Sequence, residues 1–280
     1  MTIPKKNIHK VAVIQMASGP NVSTNLMDAG NWLSQAASEG AEIAVLPENF
    51  AFMGHHEQDK LAVGETNGTG PIQDFLAETA QKHQMWIVGG TLPILTDRAD
   101  KIAAACLVFD QNGQQVARFD KIHLFDVKLP ASQETYAESA TILAGNHPTV
   151  VDTPVGPMGL AVCYDLRFPE LFRQMASSGL VLAAIPSAFT ATTGRAHWEI
   201  LNRARAIENL CYVAASAQGG HHINGRETWG HSMIVDPWGT VIAEKKRGSG
   251  CIIGNLDLEY LHNIRTRFPC LEHRKLQDVG

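Results

Sequence analysis

The chain is 280 residues long, 45% hydrophobic and 18% charged, which excludes a disordered or collagen-like polypeptide and suffices for one large self-supporting domain. A net charge of -5 offers no overall field for phosphate backbones, so nucleic acid is not the expected partner. The longest apolar run, Ile102 to Phe109, falls far short of the roughly 18 residues needed to cross a bilayer, so no membrane span is expected.

Short apolar runs alternate with helical patterns along the whole chain. Val11 to Ile14 reads as a buried strand, and Val22, Leu26, Ala29, Leu33 and Ala37 recur at helical spacing behind the N-cap candidate Asn21, with Gly40 as the stop. Ile43 to Leu46 is a strand stopped by Pro47; the polar, Gly-rich segment from Phe50 to Gly70 reads as a long surface loop. Pro71 opens a helix through His83, and Trp86 to Val88 is the next strand. Ile102–Phe109 and Gln114–Phe119 flank Asn112-Gly113, a hairpin signal because both residues tolerate positive φ. The second half predicts strands at Leu160–Val162, Val181–Ile185 and Cys211–Ser216, with helices at Pro169–Ser178 and Arg195–Leu210. A type I turn at Asp236-Pro-Trp-Gly239 joins Ser232–Val235 to Val241–Glu244, and Ile252–Leu256 is the last strand. No linker, low-complexity tract or repeat divides the chain. The pattern predicts one α/β domain of mixed sheets covered by helices. The segment from Leu261 to Gly280 is too polar to build its own core and is expected to lie on something, such as a partner subunit.

Five cysteines, an odd number with no CxxC pair, argue for a reducing compartment over a disulfide framework or zinc knuckle. Lys5, Lys6 and Lys10 precede no secretory apolar region, so a cytoplasmic location is expected. Cys163 stands apart from the other four: it ends the strand Gly159-Leu-Ala-Val162 and precedes Tyr164-Asp-Leu-Arg-Phe-Pro169, where a helix begins. A nucleophile at a strand-to-helix turn is presented above the sheet edge, with backbone N–H groups placed to face an oxyanion. Glu48 stands at the end of a buried strand and there requires a cation or donors; Lys121 follows the hairpin in Arg118-Phe-Asp-Lys-Ile-His123. A thiol is only a few per cent ionised at neutral pH, so amide hydrolysis requires a base, a cation for the oxyanion and a dry site. Glu, Lys and Cys supply those roles.

Leu46-Pro-Glu-Asn-Phe50, Asp120-Lys-Ile-His-Leu124 and Ala161-Val-Cys-Tyr-Asp-Leu-Arg-Phe-Pro-Glu170 resemble the three signature segments of the nitrilase superfamily of carbon–nitrogen hydrolases, over about Val11 to Leu276. The resemblance implies Glu48 as general base, Lys121 as the oxyanion-stabilising cation and Cys163 as nucleophile. Glu138, in Tyr136-Ala-Glu-Ser139, matches the second glutamate that orients the lysine. It also implies a four-layer α-β-β-α sandwich in a single domain, residues 1–280, which dimerises with the 261–280 tail on its partner. Pro186-Ser-Ala-Phe189, Arg203-Ala-Arg-Ala-Ile-Glu208 and Ala217-Gln-Gly-Gly-His221 are similar to the deaminated glutathione amidase branch, and the omega-amidase branch shares much of this framework.

On this reading Glu48 takes the Cys163 proton as sulfur attacks an amide carbonyl, while Lys121 and the Tyr164 backbone N–H hold the oxyanion. Ammonia leaves a thioester that water, activated by Glu48, converts to the acid; no metal or organic cofactor is called for. A carboxylate-bearing substrate calls for a cation, and the candidates are Arg167, Arg195, Arg203 and Arg205, the last two on different helix faces. The alternatives are an omega-amidase acting on 2-oxoglutaramate or 2-oxosuccinamate, a catalytically silent dimeric scaffold, and a zinc hydrolase built on His55-His56 and His221-His222, which lack metal-site spacing.

Overall fold

The computed structural model describes residues 7–129 and 135–276. The first half runs β1 (Ile8–Gln15), α1 (Val22–Ser38), β2 (Ile43–Val45), α2 (Asp59–Ala62), α3 (Pro71–His83), β3 (Trp86–Val88), β4 (Leu92–Leu95), β5 (Ile102–Phe109) and β6 (Gln115–Asp120). Next come β7 (Asp126–Lys128), β8 (Thr135–Ala137), β9 (Thr149–Thr153), β10 (Gly156–Leu160), α4 (Pro169–Ala176), β11 (Leu182–Ser187) and α5 (Ala191–Asn209). The remainder is β12 (Tyr212–Ala217), β13 (Gly219–His221), β14 (Glu227–Trp229), β15 (Ser232–Val235), β16 (Val241–Lys245), β17 (Gly250–Asp257) and α6 (Leu258–Arg267).

Alternation along β1 shows how the layers form. Ala12 and Ile14 pack with Leu33 of α1 and Leu76 of α3, whereas Val11 and Val13 pack with Leu160, Leu182 and Val213 of a second sheet. Both faces are therefore dry, which explains why the strand reads as an uninterrupted apolar run. The first sheet has the order β17-β1-β2-β3-β5-β4 with β6 on β5; the second has the order β16-β15-β12-β11-β10-β9. Within them β1, β2 and β3 are parallel, as are β10, β11 and β12. Phe172 of α4 and Trp198 of α5 close the outer side of the second sheet. The result is the four-layer α-β-β-α sandwich implied by the sequence motifs. Helices α1 and α3 begin at the predicted residues: Asn21 accepts from the Thr24 N–H, and Pro71 occupies the first turn of α3.

Several local expectations are revised. The 50–70 segment is a surface loop only in part: His55, His56 and Thr66–Thr69 are exposed, but Phe50 and Ala51 are fully buried in the apolar core, where Ser18 donates to the Phe50 carbonyl and Asn25 to that of Ala51. It also carries α2 and the buried Glu65, whose carboxylate accepts from the Ile72 and Gln73 N–H groups and so caps α3 from outside. The Asn112-Gly113 hairpin is antiparallel as expected, but its loop spans Asp110 to Gln114 and only Gly113 takes a positive φ, 77°. The region 261–280 is in part packed on its own chain: Leu261 and Ile264 are buried, and the Arg265 guanidinium donates to the Leu210 and Leu180 carbonyls. Residues 277–280 of that tail lie outside the described residues. No helix among the described residues is long and apolar enough to cross a membrane.

Candidate active site

Glu48, Lys121 and Cys163 follow the ends of strands in the two main sheets, where α/β sheets present ligand sites, and Glu138 follows the separate two-stranded sheet of β7 and β8. Glu48 lies just past β2. Pro47 ends the strand, and Asn49 turns the chain in the left-handed region (φ 57°), its N–H donating to Thr91 Oγ1 at 2.9 Å. Gly90 makes this turn possible: its φ is +56°, and a Cβ there would sit 2.1 Å from the Pro47 carbonyl oxygen. The buried Gln218 donates to the Glu48 carbonyl at 3.0 Å, fixing the same turn from the second sheet. Lys121 follows the last residue of β6. Glu138 follows β8 and opens a 3-10 turn.

These three side chains meet. Lys121 Nζ lies 2.8 Å from Glu48 Oε1 and 2.9 and 2.7 Å from the two Glu138 oxygens, and Lys121 is 0% exposed. Glu138 also accepts from the Phe125 N–H at 2.8 Å. Burial alone would depress the lysine, but the adjacent Glu138 and Glu48 carboxylates overcome it and hold the ammonium well above its usual range. For Glu138, burial works toward protonation, yet Lys121 and then Lys60 win and keep its carboxyl below the ordinary value. Two acids sharing one amine leave the buried group with one surplus negative charge.

Cys163 opens a 3-10 turn, residues Cys163–Arg167, that leads into α4. Its φ of +50° is unusual for a residue with a side chain and marks the sharp strand-to-helix bend expected of a presented nucleophile. The Ala188 backbone lies beside the thiol and works weakly to lower it. Burial, followed by the Glu48 carboxylate, pushes the thiol well up, while Lys121 pulls it partly back. A resting thiol of this kind stays protonated and needs a base at the moment of attack.

Asp165 joins the two loops. It is 0% exposed, and its carboxylate accepts from the Val162 N–H (2.9 Å) next to Cys163 and from the His123 N–H (2.9 Å), two residues beyond Lys121. His123 Nδ1 lies 2.6 Å from the same carboxylate, and its ring stacks on Phe168 at 3.6 Å. One buried acid therefore sets the thiol turn against the lysine turn.

Glu48, Glu138, Cys163 and Tyr164 line a narrow pocket, with Phe125, Phe189, Arg167 and Arg226 on its walls. Arg167 is held between the Tyr164 ring (5.7 Å) and the Phe189 ring (5.2 Å) with Nη1 3.2 Å from His197 Nδ1, and no carboxylate of the described residues pairs with it. The other arginines weighed from sequence lie elsewhere. Arg195 is exposed over the Trp229 ring, and Arg203 is on the outer surface with Glu199 and the Gly239 carbonyl. Arg205 is buried in structural bonds to the Leu166 carbonyl and Glu208. As predicted, Arg203 and Arg205 are on different faces, and neither lines the pocket. Sequence reasoning missed Ala188 and Arg226, which the fold brings in from distant segments. Of the paired histidines, His222 is buried with its nitrogens at 2.9 Å from the Ser18 carbonyl and 2.7 Å from Thr228 Oγ1, which gives it a structural occupation.

An acid and a thiol that line one pocket, with a fully buried amine bonded to the acid and electrostatically coupled to the thiol, are equipped to attack and hydrolyse a carbon–nitrogen bond. The carbon–nitrogen hydrolase family model matches residues 10–266. The chain belongs to that family. This carbon–nitrogen hydrolase is 42% identical over 266 residues to a Synechocystis protein named deaminated glutathione amidase, covering 94% of this chain and 97% of that one. The solved Caenorhabditis elegans NitFhit protein superposes with a TM-score of 0.90 at 38% identity, covering 96% of this chain and 66% of NitFhit. Saccharomyces cerevisiae Nit3, described as a member of branch 10 of the nitrilase superfamily, gives 0.87 at 31% identity over 97% and 98% of the two chains.

Proposed function

We propose that this enzyme is a thiol amidase that hydrolyses a small carboxylate-bearing amide of the deaminated glutathione type through a cysteine thioester. The observation that carries the reading is the contact of the buried Lys121 with Glu48 and Glu138, both of which line one pocket with Cys163. Glu48 takes the thiol proton as sulfur adds to the amide carbonyl, and the Lys121 ammonium and Tyr164 backbone N–H stabilise the oxyanion. The C–N bond breaks as Glu48 returns the proton to the leaving nitrogen. Water then adds to the thioester, Glu48 takes its proton, and acid and free thiol are released. Glu138 holds Lys121 in place and keeps it charged. A primary amide releases ammonia in the first half; deaminated glutathione, whose amides are all peptide bonds, releases an amine instead.

Arg167 is the cation proposed for the acyl-side carboxylate, because it stands on the pocket wall with aromatic faces and no acid as neighbours. The protein is read as a cytoplasmic homo-oligomer, with exposed Ile200, Ile207, Trp238 and Phe268 as the surface that the partner and tail cover. The test is initial-rate hydrolysis of deaminated glutathione, 2-oxoglutaramate, 2-oxosuccinamate and a nitrile by the purified enzyme. Preference for deaminated glutathione by kcat/KM supports the reading. Turnover of the two keto-acid amides alone moves the enzyme to the omega-amidases.

A further inference from the structure

A second, wider cleft adjoins the catalytic pocket and shares one wall residue with it, Arg226. Its other walls include Glu57, Lys60, Tyr136, Ala137 and Asn224. Tyr136 and Ala137 immediately precede Glu138, so the acid that grips Lys121 sits at the partition between the two spaces.

Arg226 stands there with unspent binding capacity. Its guanidinium lies over the Tyr136 ring at 5.2 Å and one Nη donates to the Ala188 carbonyl, while its Nε is buried without a hydrogen-bond partner. A buried donor left unmatched is costly, and the guanidinium that carries it lines both spaces, where a small shift of the side chain would offer it to a ligand's acceptor. No carboxylate of the described residues is within ion-pair distance of Arg226. Glu57, an acid that feels its charge, is already held by Lys60 at 2.7 Å. Lys60 faces Glu138 as well as Glu57, so its charge is already engaged, whereas Arg226 makes no ion pair among the described residues.

The active centre is thus flanked by two guanidinium groups without acid partners, Arg167 in the pocket and Arg226 at the entrance to the cleft. One cation suffices for a substrate that is acidic only on its acyl side and releases ammonia. Two cations fit a substrate with a carboxylate on each side of the scissile amide. We propose that the cleft is the leaving-group subsite, and that Arg226 binds the carboxylate of a short peptide-like amine released in the first half-reaction. This rests on the amidase reading above and deepens it: the specificity for a peptide amide over a primary amide resides at Arg226.

The experiment compares N-(2-oxoglutaryl)-cysteinylglycine with its C-terminal carboxamide, which lacks only the leaving-group carboxylate. In the wild type kcat/KM should favour the free acid by about tenfold or more, the effect of a desolvated charge-assisted pair. In Arg226→Gln that ratio should fall to about one, with the loss mainly in KM. The ratio is insensitive to general damage, and Arg167→Gln should lower both rates and leave it intact. A wild-type ratio near one, or a ratio that survives Arg226→Gln, overturns the proposal. Failure of the wild type to cleave either compound would refute the substrate class instead. Binding then still decides the subsite: Cys163→Ala protein titrated with free cysteinylglycine and with its carboxamide should bind the acid more tightly, and equal binding overturns the assignment.

Discussion

Replacing Lys121 by Met keeps the apolar stem and removes the charge that two acids share. At 2.8 Å and an effective dielectric near 20, each ammonium–carboxylate contact amounts to about 6 kcal/mol of Coulomb energy, largely offset by desolvation. Removing one partner of such a buried group typically costs about 3–5 kcal/mol at neutral pH. The pH dependence carries the sharper test. In the wild type Glu138 is held below 4.5, so its contribution is present above that value and is lost as pH falls through the folded-state pKa. Without the lysine, burial dominates and Glu138 rises above 4.5. Between 4.5 and its new value the folded variant binds a proton that the unfolded chain does not, so stability should increase as pH falls. Urea unfolding between pH 5 and 8 should therefore show no slope from Glu138 in the wild type, whose linkage lies below 4.5, and in the variant a stability that rises as pH falls across the lower part of that range, with the largest deficit at pH 8. A deficit below about 1 kcal/mol, or one equal at both ends, would refute the shared-cation reasoning.

Two further substitutions test how the site is held. Asp165→Asn leaves one acceptor where the carboxylate serves the Val162 N–H, the His123 N–H and His123 Nδ1, so a buried donor faces an amide NH2. The expected cost is about 1–3 kcal/mol in thermal or urea unfolding, with kcat falling more than KM changes; unaltered kcat would show that Asp165 does not position the thiol and lysine turns. Gly90→Ala forces a Cβ to 2.1 Å from the Pro47 carbonyl at a φ of +56°, which should cost upwards of about 1–3 kcal/mol and reduce activity by displacing Glu48. Unchanged stability and activity would contradict that role.

The sequence made the framework legible wherever one local signal decided the outcome. Pro71 and the apolar spacing behind it bound α3 correctly, and the four chemical side chains follow motifs whose order survives folding. The 50–70 segment misled in its first residues because its polar and Gly-rich composition suggests a loop throughout, whereas Phe50 and Ala51 join the apolar core and have their carbonyls satisfied by Ser18 and Asn25 from far earlier in the chain. Strands β7, β8, β13 and β14 are three residues long and, unlike the equally short but apolar β2 and β3, mix in polar residues or glycine, so they carry too little pattern to be seen alone. Ala188 and Arg226 were invisible for another reason: a backbone group has no sequence signature, and an arginine in a polar turn looks like a solvated one until the fold sets it beside Ala188 and Tyr136. Arg195 and Arg203 are the converse, charges that pattern alone could not separate from pocket residues.

The central claim is that Cys163 carries the acyl group between the two half-reactions. Acid-quenched turnover with deaminated glutathione, followed by peptide mass spectrometry, should find the 2-oxoglutaryl mass on the peptide bearing Cys163, and Cys163→Ala should retain the fold while losing both adduct and hydrolysis. Amide hydrolysis at an ordinary rate by Cys163→Ala, or an adduct found only on Cys106, Cys211, Cys251 or Cys270, would contradict it.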